Sequence, residues 1–338
     1  MQNRKLGRSG LLVSEISLGT MIFDEGEARS TPFEIAQRML DMYVEAGGNF
    51  IDTANVYGGG RSETVIGQWL PGKPRDRLVI ATKVRFATGD GPNDEGLSRA
   101  HILREVEHSL RRLGTDYIDL YYTHNWDPVA PLDETLRAFD DLISAGKVRY
   151  IGASNFKAWQ LMKSLAISDA KNYVRFVAAQ YQYSLVVRDI EYEFLDLCES
   201  EGLGILPWGP LGGGFLTGKY VRGDRPEDGR LATTPDHDEE AWGRRSISRN
   251  WAALDAVQEI VAARGKTPTQ VAINWLLQRP AVCSVIIGPR TPKQLMDNLG
   301  ASGWSLSSEE MARLDAASDP GEMYPYRMMS IYGRRSNS

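Results

Sequence analysis

Four residues among the first 124 could share one reaction: Asp52, Tyr57, Lys83 and His124. Asp52 ends the apolar pair Phe50-Ile51 in the stretch FIDTANVYGGG, and Tyr57 lies five residues on, just before three glycines. Lys83 closes LVIATK, and His124 follows the apolar run that ends at Tyr122. A carboxylate and a phenol placed just past a buried strand can face one cleft. A phenol, with an ordinary pKa of about 10, is a poor proton donor near neutrality unless a nearby cation lowers it. Lys83 would be that cation, and Asp52 would fix it and limit the cost of burying it. Hydride arriving at a carbonyl carbon puts negative charge on the oxygen, which must then be protonated. Tyr57 would give the proton, and His124 would orient the carbonyl and stabilise the developing charge. Taken singly, each residue has a plainer role: a loop cap, a surface ion pair, a satisfied core histidine. Four compatible residues at the ends of three neighbouring strands make those plainer roles four separate coincidences.

The elements that would position them form a regular series. Apolar strands are expected at Ile16–Leu18, from Phe50, and at Leu78–Lys83, Tyr117–Tyr122, Val148–Ser154, Phe176–Gln180, Gly204–Trp208 and Val285–Ile287. Helical stretches alternate with them. One is expected to open on a capping box at Thr31-Pro32-Phe33-Glu34, another to be capped by Ser98. A short hairpin around Arg8-Ser9-Gly10 precedes the series. Eight strands alternating with helices, without a break in composition, favour an α/β fold of the (β/α)8 TIM barrel type over an open doubly wound sheet. The expectation is a single domain, 1–338, with a long loop after the seventh strand at about 220–250. A C-terminal loop and tail would span about 319–338, polar from Ser330 on.

Composition narrows the function. The 338 residues carry a net charge of −5, which disfavours nucleic acid or an anionic membrane as the main partner. Cys198 and Cys283 lie far apart and form no C-x-x-C, so neither a disulfide framework nor a metal site is expected. The N-terminus lacks an apolar leader and no run is long enough to span a bilayer, which points to a cytoplasmic protein. No Gly-x-Gly extends to the dinucleotide fingerprint. Gly213 to Lys219 has the spacing of a phosphate loop, but Tyr220 stands where a magnesium-binding hydroxyl would be. A better anion site is Ile287-Gly288-Pro289-Arg290-Thr291-Pro292, where helix N-terminal amides and Arg290 follow the last strand.

The segments FIDTANVYG, ATK, YYTHNWD, GASN, VAAQY, LPWGPLGGG and IIGPRTPKQLMDN together resemble the aldo-keto reductases, from about Arg4 to Ala317. The branch suggested is the bacterial type related to potassium-channel β subunits. The resemblance implies an oxidoreductase: an NADPH-using barrel, with NADH possible, that reduces aldehydes and ketones with Asp52, Tyr57, Lys83 and His124 as catalytic residues. Ser154, Asn155 and Gln180 would bind the carboxamide, and Trp208 would stack on the nicotinamide. Pro210, Leu211, Gly212 and Gly214 would line the pyrophosphate, with Lys219 as a clamp. Gly288 would shape the turn that brings Arg290 to the 2′-phosphate, and Gln294 and Asn298 would approach the adenine. Gly19, Thr20, Met21 and Asp52 complete the implied cofactor set. Gly-Pro-Arg-Thr stands where many members carry Lys-Ser, which leaves the choice between NADPH and NADH open. Met21, Phe23, Trp126 and Tyr324, together with Tyr57 and His124, are the candidate substrate contacts. Met323–Met329 could close over a bulky ketone. The substrate classes the family suggests are sugars, steroids, quinones and xenobiotic ketones, among them a 3-keto trichothecene. Two competing readings are a nucleotide-sensing subunit like the potassium-channel β subunits and a barrel isomerase or hydrolase.

Overall fold

The computed structural model describes residues 1–24 and 30–333. Strands β1 (Asn3–Lys5) and β2 (Leu12–Ser14) pair antiparallel as the expected hairpin. Eight parallel strands follow: β3 (Ile16–Gly19), β4 (Phe50–Asp52), β5 (Val79–Val84), β6 (Ile118–Thr123), β7 (Val148–Ser154), β8 (Ala178–Gln182), β9 (Gly204–Trp208) and β10 (Val285–Ile287). From β3 to β8 each pairs with the next, and β10 pairs with β3. The gap between β9 and β10 is closed at Ile205, whose N–H donates to Ala281 and whose carbonyl accepts from Cys283. The fold is the (β/α)8 barrel.

The surrounding helices are α1 (Phe33–Glu45), α2 (Arg61–Trp69), α3 (Arg99–Leu113), α4 (Leu132–Ser144), α5 (Ala158–Lys171) and α6 (Phe194–Glu201). After β9 come α7 (Arg230–Thr233), α8 (Trp242–Arg245), α9 (Ser248–Arg264) and α10 (Pro268–Leu277). Then α11 (Pro292–Leu299), α12 (Ser308–Ala317) and α13 (Tyr326–Tyr332) follow β10. Their apolar faces form the larger core between helices and sheet. A second, smaller core fills the barrel itself, with Phe50, Val79, Ala81, Leu120, Tyr122, Ala178 and Leu206. Leu6 and Val13 from the hairpin belong to it, so the hairpin plugs the N-terminal end. Gly152 is required there by space. A Cβ on it would stand 2.4 Å from the Tyr122 ring, which lies across the interior.

Three local expectations change. Thr31 does not cap α1; the helix begins after Pro32 without a side-chain cap. The Thr31 N–H donates to Ile22 and its hydroxyl reaches the Arg290 carbonyl, so the residue joins two loops instead. The segment after β9 is also not a bare loop. It contains α7 and α8, held by an aromatic cluster of Phe215, Tyr220, Trp242 and Trp251. The tail expected to be polar from Ser330 is helical through Tyr332; residues 334–338 lie outside the described residues.

Candidate active site

Side chains alternate along a strand, so the residue two places beyond an inward core residue also points inward. Phe50 leads in this way to Asp52, Ala81 to Lys83, and Tyr122 to His124. The same step leads from Gly152 to Ser154, from Ala178 to Gln180 and from Leu206 to Trp208. The apolar filling of the barrel thus ends in one polar layer at the C-terminal mouth.

Lys83 is wholly buried and its ammonium has three donors, all of them used. They go to Asp52 Oδ1 at 2.5 Å, the Thr53 carbonyl at 2.8 Å and the Tyr57 hydroxyl at 3.2 Å. An ammonium can only donate, so the phenol oxygen accepts here. The phenol's own proton is left to point elsewhere. The other oxygen of Asp52 accepts from Gln180 Nε2 at 2.8 Å. The Thr20 hydroxyl donates to the Asp52 carbonyl at 3.0 Å. The His124 ring stands edge-on to Tyr57, 5.6 Å between centroids, and the His124 backbone N–H donates to the Val84 carbonyl at 2.9 Å.

Burial dominates the electrostatics. It pushes the Tyr57 phenol above its ordinary pKa; Lys83 pulls the value back and Asp52 adds to it. The net lowering expected from Lys83 therefore does not appear, because burial of the phenol outweighs the pull of the lysine. Burial also works to lower the Lys83 ammonium, but Asp52 and Tyr57 outweigh it and hold its pKa above the ordinary lysine value. His124 is driven well below the usual histidine range by burial and by the cations Lys83 and Arg85, so its imidazole is neutral at physiological pH. Its Nδ1 is buried without a hydrogen-bond partner among the described residues.

The residues assigned to the cofactor form an arc on one side of this layer. Ser154 Oγ donates to the Gln180 carbonyl, Asn155 Nδ2 to Ser154 Oγ and the His124 carbonyl, and Trp208 Nε1 to Asn155 Oδ1. Gln180 is thus spent on Asp52 as much as on any ligand. Pro210 and Leu211 lead into Gly212 and Gly214, both with positive φ. A Cβ on Gly212 would lie 2.5 Å from Val186, so only a bare backbone turns there. Lys219 is exposed beside the Tyr220 ring. At the far end Gly288 is exposed, the Arg290 N–H donates to Gln294 Oε1, Thr291 caps α11, and Asn298 is buried. Gly19 ends β3, with Met21 exposed just beyond it.

The substrate candidates divide. Trp126 lies on the rim, edge-on to Phe156 and tilted against Trp159. Phe23 is wholly buried in the outer core; its ring is packing, and the expected substrate contact is corrected on that ground. Tyr324 is 73% exposed. Its segment packs against the loop after β8, where Tyr326 stacks on Tyr192 and bonds Glu193. No described contact brings Tyr324 to the other site residues. Sequence reasoning missed Arg85 and Phe86, directly after β5. The Phe86 ring stands 4.7 Å from His124 and the Arg85 guanidinium lies over Phe86 at 5.3 Å. Its place two residues past Lys83, at the mouth end of β5, is the signal that would have marked Arg85. Among the described residues no group of histidines, cysteines and carboxylates is arranged to hold a metal ion. No helix among them is long and apolar enough to cross a membrane.

Comparison with known proteins bears on this geometry. The profile of the Aldo/keto reductase family matches residues 15–319. The chain is 38% identical to the uncharacterized oxidoreductase YrpG of Bacillus subtilis, covering 96% of this chain and 98% of that protein. It is 36% identical to a protein of Oryza sativa named probable voltage-gated potassium channel subunit beta, covering 89% and 91%. It is 33% identical to norsolorinic acid reductase of Aspergillus flavus, covering 91% and 79%.

Proposed function

Because the chain belongs to the aldo/keto reductase family, we propose that it is an NAD(P)H-dependent reductase of aldehydes and ketones, with Tyr57 as proton donor. The observation that carries this reading is the single bond between Lys83 Nζ and the Tyr57 oxygen. It fixes the phenol while leaving its proton unshared with the lysine. The bare backbone at Gly212 and the polar chain Ser154–Asn155–Trp208 fit an extended dinucleotide along one side of the mouth. A bound reduced nicotinamide would supply the hydride. Neutral His124 would hold the carbonyl oxygen by a hydrogen bond without competing to protonate it. Tyr57 would pass its proton to that oxygen, and Lys83 would stabilise the phenolate left behind. Asp52, fixed by Gln180, would keep Lys83 charged and in place. The substrate is a small-molecule carbonyl compound, and NADPH is the cofactor the Arg290 end favours. The cell location proposed is the cytoplasm.

A second reading rests on the similarity to the rice protein: a nicotinamide-nucleotide-sensing subunit that binds without turnover. Consumption of NADPH with 4-nitrobenzaldehyde, compared between the native chain and Tyr57→Phe, separates the two. The reductase reading expects turnover that falls by about 10²- to 10⁴-fold in the variant, the usual contribution of a positioned general acid. Tight NADPH binding with no turnover in either protein would favour the sensing subunit.

A further inference from the structure

We propose that Arg85 binds a carboxylate on the substrate, so that the preferred carbonyl compounds are oxo-acids and formyl-acids. The inference rests on the carbonyl-reductase reading and deepens it. Arg85 follows Val84, the last residue of β5, and stands two residues beyond Lys83 at the mouth end of that strand. Its backbone is held there: the Gly96 N–H donates to the Arg85 carbonyl at 2.7 Å. Its guanidinium lies 5.3 Å from the Phe86 ring centre, and that ring stands 4.7 Å from His124. The guanidinium and the group that would hold the carbonyl oxygen thus lie on one ring, Phe86, and within 10 Å of each other.

What singles Arg85 out is the lack of a counter-ion. The arginines nearby are matched: Arg61 with Asp24, Arg104 with Asp94, Arg112 with Glu63 and Arg230 with Glu240. Arg85 has no carboxylate and no hydrogen-bond acceptor among the described residues, and its Nε is buried without a partner. A half-buried guanidinium in this state has given up part of its hydration and has only the Phe86 ring face, not an anion, in return. The charge it adds is felt at His124, whose neighbours exert only positive influence. The cofactor does not explain it. The residues assigned to the dinucleotide lie at the ends of β7 to β10, with Gly19 to Met21 and Asp52 at the ends of β3 and β4, and none of them lies in the loop after β5 that carries Arg85. A planar guanidinium offers paired donors that match a carboxylate in geometry as well as charge.

The test compares 4-carboxybenzaldehyde with methyl 4-formylbenzoate, which share a ring and an aldehyde and differ in charge. With the native chain and NADPH, kcat/KM for the acid should exceed that for the ester by about tenfold or more, the worth of a charge-assisted hydrogen bond. Added KCl should narrow the gap. In Arg85→Gln the ratio should collapse to about one, and Arg85→Lys should recover part of it. A native enzyme that prefers the ester, or a variant that loses both activities in step, overturns the proposal. If neither aldehyde is reduced, the reductase reading fails on its own. Calorimetric titration of terephthalate into the NADP⁺-saturated native chain and Arg85→Gln then decides the Arg85 assignment. Binding that weakens at least tenfold in the variant supports it, and absent or equal binding overturns it.

Discussion

At the scale of single residues, the site turns on one buried charge pair. Lys83 and Asp52 are both shielded from water, and each answers the other's burial. Removing one partner from a buried pair typically costs about 3–5 kcal/mol, because the survivor stays dry and unpaired. Asp52→Asn should therefore destabilise the chain by roughly that amount near neutral pH. The sign with pH follows from Lys83. In the native chain its pKa is raised, so its contribution is present below the unfolded value of about 10.4 and lost only as pH climbs through the higher folded value. In Asp52→Asn the contribution of Asp52 is gone, and burial, the largest influence, prevails over Tyr57, depresses the lysine and reverses the slope. The deficit should then shrink as pH rises toward 10. Urea denaturation at pH 7 and pH 9.5 measures it, and a deficit that does not change with pH counts against a buried ammonium as the cause. The double variant Asp52→Asn with Lys83→Met should lose less than the sum of the single ones, since no orphaned charge remains. Asp52, Lys83 and His124 were visible in the sequence because each is a polar residue at the end of an apolar run. Gln180 as the partner of Asp52 was not, because a contact 128 residues apart leaves no mark in local spacing. Arg85 was hidden for another reason. An arginine after a strand looks like a surface residue until its partners are counted.

At the scale of elements, the strands were legible from their apolar runs, while the caps and loops depended on contacts made later in the chain. Ser98 caps α3 as its position suggests, with its hydroxyl accepting from His101. Thr31 has the same type of signature and does not cap, because its backbone is already committed to the Ile22 loop. The stretch after β9 reads as a loop because its Gly, Pro and charges break every period. Its order comes from rings that meet only in three dimensions: Tyr220, Trp242 and Trp251 around Phe215. Helix α2, which follows the Tyr57 loop, makes a sharper test of element packing. A glycine inside a helix normally costs about 1 kcal/mol relative to alanine, so Gly67→Ala should help by propensity alone. A Cβ at Gly67 would, however, stand 2.1 Å from the Arg112 carbonyl of α3. Backbone cannot swing away as a side chain can, so α2 would have to lift from α3 and strain the Glu63–Arg112 pair. Overpacking costs of about 1–3 kcal/mol should outweigh the propensity gain, and Gly67→Ala should lower the urea midpoint. A raised midpoint would mean that the two helices are not in that contact in solution.

At the scale of the whole molecule, the rhythm of eight strands made the barrel legible, but its closure was not. β9 and β10 are separated by about eighty residues and four helices, and the bonds at Ile205 that join them have no counterpart in sequence pattern. The global charge makes a second demand. A molecule with a net charge of −5 repels a phosphate-rich dinucleotide at long range, so local cations must reverse the field where it binds. Arg290 is half-buried, at the turn from β10 to the capped start of α11, and makes no ion pair among the described residues. NADP⁺ and NAD⁺ differ only in the 2′-phosphate, so their difference isolates that end of the site. A charged hydrogen bond from Arg290 should be worth about 1.5–3 kcal/mol. Ligand at a hundred times its Kd stabilises the fold by about 2.7 kcal/mol, and each kcal/mol moves the midpoint of a large domain by roughly 2–4 °C. At equal concentrations NADP⁺ should therefore raise the melting temperature several degrees more than NAD⁺ in the native chain, and no more than NAD⁺ in Arg290→Ala. Equal shifts in the native chain would mean that Arg290 does not read the phosphate, and that the Gly-Pro-Arg-Thr turn serves both cofactors alike. Raising the salt separates charge from shape. A lead for NADP⁺ that fades with KCl belongs to the guanidinium, while one that persists belongs to the backbone amides and side-chain contacts around α11, which ions screen far less.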